Sequence, residues 1–418
     1  MEKSDYKIHI IGAGVSGLIA AKVFENHGYT PIILEASGQV GGRVKTDIIE
    51  GYQLDHGFQV LLDAYPMAQK YLNFDALELQ KFLPGAVIYK NGKSKTIGDP
   101  LRNLSLLFPT LFSGIGTFSD KIKILKLNKS LKKTSLEEIF ESEEKTTKVY
   151  LEEKGFSTAM IQSFFTPFFS GIFLEPNLET SSRMFQFVYK MFGEGLAVLP
   201  KMGIGAIAEQ LSQNLISTKI NYNTPVSNVT DGKITFANDI EIESDYTVIA
   251  TEASNLVQNL KNQETEWKSC DNLYFTCDKR TIVKPLIGLI ADKEALINNI
   301  FFHNSIDTKQ SGEKELLSVT VVEPHELSED DLIAHVQNEL QTYCGIENTQ
   351  FLKHYHIPNA LPKISNLQHQ LSPSETQLTS TIFLAGDQLL NGSLNAAMTS
   401  GEMAAKAIVK TIENNLSL

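Results

Sequence analysis

The pattern with the most chemistry in it lies near the N-terminus: Gly12-Ala13-Gly14-Val15-Ser16-Gly17, with Glu35 18 residues after Gly17. Residues 7–11 (KIHII) precede it as an apolar run of strand length. Leu18, Ile19, Val23 and Phe24 follow at helical spacing until Gly28, and a second apolar run, Ile32-Ile33-Leu34, ends in Glu35. The spacing predicts a strand–turn–helix–strand unit whose first turn holds a pyrophosphate. Gly12 allows the tight turn, Gly14 lets backbone approach the phosphates, and Gly17 lets the helix pack on the strand. The turn residues Ala13, Val15 and Ser16 open the helix, whose free N–H groups favour an anion. Glu35 is placed to accept from ribose hydroxyls. This unit alone does not separate a nicotinamide from a flavin cofactor.

Two further motifs do. Gly41-Gly42-Arg43 follows the acidic strand, and an arginine fork suits a phosphate better than a lysine. Far downstream, residues 381–385 (TIFLA) read as a buried strand ending in Gly386-Asp387. Gly392-Ser393-Leu394-Asn395 comes next, then a helix over 396–412 with small residues Ala397, Gly401, Ala404 and Ala405 on a face that must pack closely on a sheet or a cofactor. Together these motifs resemble those of the flavin-containing amine oxidase, protoporphyrinogen oxidase and phytoene desaturase superfamily. The resemblance covers the chain in outline, with its strongest motifs in the first ~60 and last ~40 residues. A nicotinamide-linked dehydrogenase would leave the last two motifs unexplained.

The resemblance implies FAD as the cofactor, with Ala36, Gly42 and Arg43 beside its adenosine and pyrophosphate part. It implies that Asp387 faces the ribityl chain, and that Leu394, Asn395 and Ala396 open the last helix toward the flavin ring. The family usually carries Gly where this chain has Asn395, so a side chain there narrows the pocket or alters the flavin potential. Residues 54–59 (LDHGFQ) resemble the segment that passes beside the isoalloxazine, which places Gly57, Phe58 and Gln59 there. His56 is either a general base or, more simply, a solvent-facing or structurally bonded histidine; His9 is structural. Val226, after the helix expected over 205–215, falls where the family touches adenine through backbone. The C-terminal motif holds no cysteine, so FAD is expected to be noncovalent.

The implied fold is α/β: a Rossmann-like FAD-binding domain of GDI/PHBH-type flavoprotein architecture, with an α+β substrate-binding domain inserted discontinuously. Residues 1–75, 195–260 and 365–418 are expected to form the first, and residues 76–194 and 261–364 the second. Asn91-Gly92 marks a hairpin, Leu273–Phe275, Leu286–Ile290 and Leu316–Val322 read as strands of a second sheet, and Ser328 reads as a helix cap.

Residues 164–192 hold eight phenylalanines and Tyr189, dense enough to line an apolar tunnel or to fill a helical core. Phe58, Gln59, Phe173 and Lys363 are the pocket candidates; Lys363 is a substrate contact or a surface lysine. Residues 101–133 place an apolar element beside Lys121, Lys123, Lys126, Lys129, Lys132 and Lys133. That pattern fits either a solvated lysine face or peripheral contact with an anionic membrane.

Composition bounds the rest. The 418-residue chain is 42% apolar and carries a formal net charge of −12, which excludes a disordered chain and broad nucleic-acid binding. Three cysteines form no disulfide framework or C-x-x-C pair, and no metal site is read in the sequence. The N-terminus has no secretory pattern, so the expected location is cytoplasmic, with or without membrane contact at 101–133. The expected activity is hydride removal from a bulky apolar small molecule, such as a desaturase or protoporphyrinogen oxidase performs, with oxygen or a quinone as acceptor. Amine oxidation is the alternative, weakened because Lys268 stands early for the lysine such enzymes hold near the flavin. The further alternative is a non-catalytic binder of lipidated partners, like the Rab GDP-dissociation inhibitors.

Overall fold

The computed structural model describes residues 2–99, 102–260 and 263–416. Its first strand, Ile8–Ile11, is buried at every position, as expected of a strand flanked on both sides and covered on both faces. It pairs in parallel with Ile32–Leu34 and with Tyr246–Ile249. The five-stranded sheet runs in the order Lys219–Asn221, Ile32–Leu34, Ile8–Ile11, Tyr246–Ile249, Ile382–Leu384, and each pairing is parallel. The first and last thirds of the chain therefore meet in one sheet. All five strands end on the same edge, so Gly12, Glu35, Ala250 and Gly386 gather there. That edge is where open parallel sheets bind ligands.

Two helices close over this sheet. Val15–Asn26 carries buried Leu18, Ile19, Ala20 and Phe24. The terminal helix, Leu394–Leu416, is longer at both ends than the sequence pattern suggests. Its small residues pack neither on a sheet nor on a cofactor at Gly401. A Cβ there would lie 2.1 Å from the Ser16 carbonyl oxygen, so Gly401 is where the last helix meets the first.

A second, seven-stranded mixed sheet runs Gln350–Pro362, Trp267–Cys277, Glu315–Val321, Ile297–Phe302, Ile287–Ile290, Gly85–Lys90, Lys93–Gly98. The last two strands form the hairpin at Asn91-Gly92, both with positive φ, as a tight two-residue turn needs. Helix Glu329–Cys344 covers this sheet. The Ser328 hydroxyl accepts from the Asp331 amide at its start, and Gly345 in the left-handed region ends it. A helical layer spans Phe118–Lys133, Leu136–Glu141, Thr147–Glu153, Thr158–Phe173 and Ser182–Glu194. Within it, Ile161–Phe165 forms a widened π turn just before Pro167. The helix expected over 205–215 is Ala206–Gln213.

Candidate functional site

One cavity of about 1330 Å³ runs from the edge of the parallel sheet to the helical layer. Small-molecule pockets span ~300–1,000 Å³, so this one has room for more than a single drug-sized ligand. At the sheet end it is lined by Gly12, Gly14, Val15, Ser16, Glu35, Gly42 and Arg43. Gly14 has nothing within 4 Å of where a Cβ would stand, so its backbone is open to a ligand. Gly17 lies outside the cavity. A Cβ on it would meet the Gly12 carbonyl oxygen at 2.1 Å, which is the close helix–strand packing expected of that position. The helix Val15–Asn26 opens without a side-chain cap, leaving its first N–H groups for a ligand.

Glu35 is held in place. Its Oε2 accepts from the Ala13 amide at 2.7 Å, and its Oε1 accepts from the Ser37 amide and hydroxyl at 2.8 and 2.6 Å. Each carboxylate oxygen has further lone-pair capacity for a ribose hydroxyl. Arg43 grips Asp387 through both guanidinium branches, with Nη1 at 3.0 Å from Oδ2, and also donates to the Ala360 carbonyl at 3.2 Å. Its guanidinium lies over the Trp267 ring, 5.0 Å from the centroid. Asp387 itself is buried, so this pair ties the two ends of the chain at the middle of the cavity.

Gly57, Phe58, Gly386 and Leu394 also line the cavity. Phe58 packs on Phe301 with centroids 5.2 Å apart. Gln59 lines it too, and its amide donates to the Arg43 and His56 carbonyls at 2.9 Å each, which ties its loop to the segment that carries Arg43. Ala13, Ala36, Val226, Asn395 and Ala396 are not among the lining residues. The Asn395 Oδ1 accepts from the Met67 amide at 3.0 Å, which turns its side chain to the first turn of the helix Pro66–Tyr71. Val226 packs instead with the apolar cluster around Val229 and Ile249.

His56 is a bonded histidine. Its Nε2 is 2.8 Å from Asp47, which also accepts from the Tyr355 hydroxyl at 2.8 Å. His9 is buried against the Ser244 hydroxyl, and burial pushes its pKa down to about 4. Next to His56, burial pushes the Asp55 carboxyl up to about 6, although the Thr46 hydroxyl and the Ile204 amide both donate to its Oδ1. A raised native pKa favours folding below the unfolded value and loses that contribution as pH rises through about 6. Asp55→Asn, which keeps the acceptor, should therefore gain on the wild type by roughly 2 kcal/mol from pH 4 to pH 7. Urea denaturation of both proteins across that range measures it; parallel curves would rule it out.

The far end of the cavity is aromatic. Phe164, Phe168, Phe169, Phe173, Tyr189 and Phe192 border it, and of these Phe169 and Phe173 are as fully buried as the core residues Phe165, Phe185 and Phe187. The stretch is both tunnel wall and core: Phe164, Phe168, Tyr189 and Phe192 keep some exposed surface, while Phe169 and Phe173 join the buried cluster behind them. Lys363 stands at the rim, paired with Glu266 at 2.9 Å and largely exposed. Lys268 does reach the cavity: its ammonium donates to the Phe173 carbonyl at 2.8 Å and the Thr180 hydroxyl at 3.0 Å, and burial lowers its pKa. Sequence reasoning missed Trp267, Cys270 and Tyr355 as lining residues. Trp267 is the single tryptophan of the chain, which was the one available signal.

Comparison with known proteins matches residues 15–409 to the family of flavin-containing amine oxidoreductases. The chain belongs to that family. It is 30% identical over 156 residues to the L-amino-acid oxidase of Trimeresurus stejnegeri, a match covering 35% of this chain and 30% of that protein. A longer match, 26% over 302 residues, joins it to the L-amino-acid oxidase of Bothrops pauloensis, with 65% of this chain and 59% of that one. The matches thus span from about a third to somewhat over half of those oxidases. In fold, the chain resembles a candidate protoporphyrinogen oxidase from Exiguobacterium, with TM-score 0.70, 16% identity and 98% and 99% of the two chains covered. Putrescine oxidase bound to putrescine gives TM-score 0.68 at 16% identity, with 97% and 99% covered. Among the described residues of this family member, no helix is long and apolar enough to cross a membrane.

Proposed function

We propose that this flavoenzyme binds FAD noncovalently along the cavity and removes a hydride from a bulky apolar small molecule at the aromatic end, with oxygen or a quinone as electron acceptor. The observation that carries this reading is the continuity of a single cavity from the open backbone of Gly14 to the wall of Phe164, Phe168 and Phe173. FAD, when bound, supplies a two-electron acceptor that needs few protein side chains. The chain's own residues bind and orient. The N–H groups opening Val15–Asn26 receive the pyrophosphate, Glu35 accepts from ribose, and Arg43 with Asp387 holds the middle of the cofactor. The phenylalanine wall excludes water and aligns the substrate carbon.

Two features support the finer points. Cys270 is the cysteine that reaches the cavity, and burial pushes its thiol up to about 12, so it offers little thiolate for a link to flavin. The parallel sheet and the seven-stranded sheet fit a division into an FAD-binding domain of 1–75, 195–260 and 365–418 and a substrate domain of 76–194 and 261–364.

Amine oxidation is the second reading. It draws on Lys268, whose half-buried ammonium borders the cavity, and on the amine substrate named for putrescine oxidase. Anaerobic mixing of the holoenzyme with porphyrinogens, polyene precursors and small amines separates the two. Bleaching of the visible flavin band by the bulky apolar compounds alone is expected. Bleaching by amines alone would overturn the first reading in favour of the second. A protein that stays colourless after FAD addition would overturn both and favour a GDI-like binder.

A further inference from the structure

The cavity accounts for the aromatic end of the helical layer but not for its outer face. Leu104 is 80% exposed, Phe108 68% and Phe118 73%, and Ile122 and Leu125 are exposed beside them in sequence. Scattered exposed apolar residues are ordinary. Three of them are not scattered. Phe118, Ile122 and Leu125 fall four and three residues apart on Phe118–Lys133, and so share one side of that helix. The opposite side is anchored inward by buried Leu127 and Leu131. A capping box fixes the helix start: the Thr117 hydroxyl accepts from the Asp120 amide, while Asp120 accepts from the Thr117 amide at 2.7 Å. The outward orientation of Phe118 is therefore set by packing.

Beyond Leu125 the same outward side continues as Lys129 and Lys132, flanked by Lys126 and Lys133, all four exposed. Among the described residues these four lysines hold no ion pair. The helix carries six lysines against one aspartate, on a chain whose formal net charge is −12. An acidic protein is repelled by an anionic surface, so only a local cationic face can bring it there. Apolar side chains beside unpaired lysines on one helix side have the chemistry of an element lying in a bilayer interface: the apolar groups enter the headgroup region and the ammonium groups meet lipid phosphates. A protein partner with an acidic, apolar groove would match the same chemistry over this one element, but the continuity with the cavity favours lipid. Ile124 and Asn128, on the inner side of this helix, line the cavity wall. The outer face and the aromatic chamber are thus about one helix diameter apart, roughly 10 Å.

We propose that the face formed by Phe118, Ile122, Leu125 and the lysines up to Lys133 docks on an anionic lipid bilayer, and that an apolar substrate dissolved in that bilayer is delivered past this helix into the cavity. Docking stands on the exposed face alone; delivery rests on the proposed apolar substrate. Co-sedimentation of the FAD-loaded enzyme with vesicles tests docking without any substrate. Binding is expected on phosphatidylcholine vesicles containing phosphatidylserine, weaker on phosphatidylcholine alone, and reduced by high salt. Replacing Lys126, Lys129, Lys132 and Lys133 by Glu should lower partitioning by about tenfold or more. Phe118→Ser with Ile122→Ser should weaken it severalfold and abolish the part that survives high salt. Both variants should keep their flavin absorbance and the wild-type Tm, since none of these side chains is buried. No vesicle binding at low salt would overturn the proposal. So would equal binding by wild type and both variants, or an apolar face found covered by a second copy, seen as a dimer that Phe118→Ser dissociates. If docking fails while bulky apolar compounds still bleach the flavin, only this proposal falls.

Discussion

Gly401→Val should yield protein that loses its flavin and is recovered in low amount, and Gly401→Ala should already lower Tm by roughly 3 °C or more. At this position a Cβ would stand 2.1 Å from the Ser16 carbonyl oxygen and 2.9 Å from its carbon. Both are backbone atoms of a buried helix turn, so no side chain can rotate away. The overlap is relieved only by moving Leu394–Leu416 off Val15–Asn26. Overpacking in a core costs about 1–3 kcal/mol when side chains can yield, and more when backbone must shift. The displaced turn is the one whose N–H groups receive the pyrophosphate in the proposed binding of FAD, so cofactor loss is expected to accompany the loss of stability. Thermal unfolding with flavin quantitation measures both. Wild-type Tm and full flavin content in Gly401→Ala would mean that the two helices do not touch there.

The second large effect concerns Arg43. Arg43→Ala removes the cation at the middle of the cavity and leaves the buried Asp387 carboxylate without its partner. Charge-assisted hydrogen bonds contribute about 1.5–3 kcal/mol each, so FAD affinity should fall by roughly ten- to a hundredfold. Arg43→Lys should recover only part of it, because an ammonium cannot reproduce the bidentate fork. Adding Asp387→Asn to Arg43→Ala should restore some stability by removing the stranded charge. Glu35→Ala should lower FAD content as well, since it frees the Ala13 amide and removes the ribose acceptor. Flavin-to-protein absorbance ratios after gel filtration measure FAD content in all four, and thermal unfolding measures the stability regained. Full occupancy in Arg43→Ala and Glu35→Ala would show that the cofactor lies elsewhere.

Much of this is written in local sequence. The turn at Gly12, Gly14 and Gly17 is legible because each glycine answers a contact within the same thirty-residue unit or a ligand's need for open backbone. The Asn91-Gly92 hairpin and the Ser328 cap are legible for the same reason: their determinants are a few residues apart. The roles of long-range side chains are harder. Gln59 reads as a cofactor neighbour, and the sequence does not show that its amide bonds the carbonyls of His56 and of Arg43, the latter two strands away. Lys268 reads as too early in its strand, yet the long strand Trp267–Cys277 carries it to the cavity at its second residue.

By itself, then, the sequence determined the glycine turn between the first strand and the first helix and the strand and helix that close the chain, and it marked Glu35 and Arg43 as candidates beside them, because these depend on backbone conformation and on residues close in the chain. Only the tertiary structure decided that Gly401 packs on Ser16, that Asn395 turns to Met67, that Arg43 grips Asp387, and which phenylalanines face the cavity. Most of those outcomes are set by contacts between segments hundreds of residues apart. Side-chain type states what a residue is able to do, and only the packing of distant elements states which of its neighbours it meets.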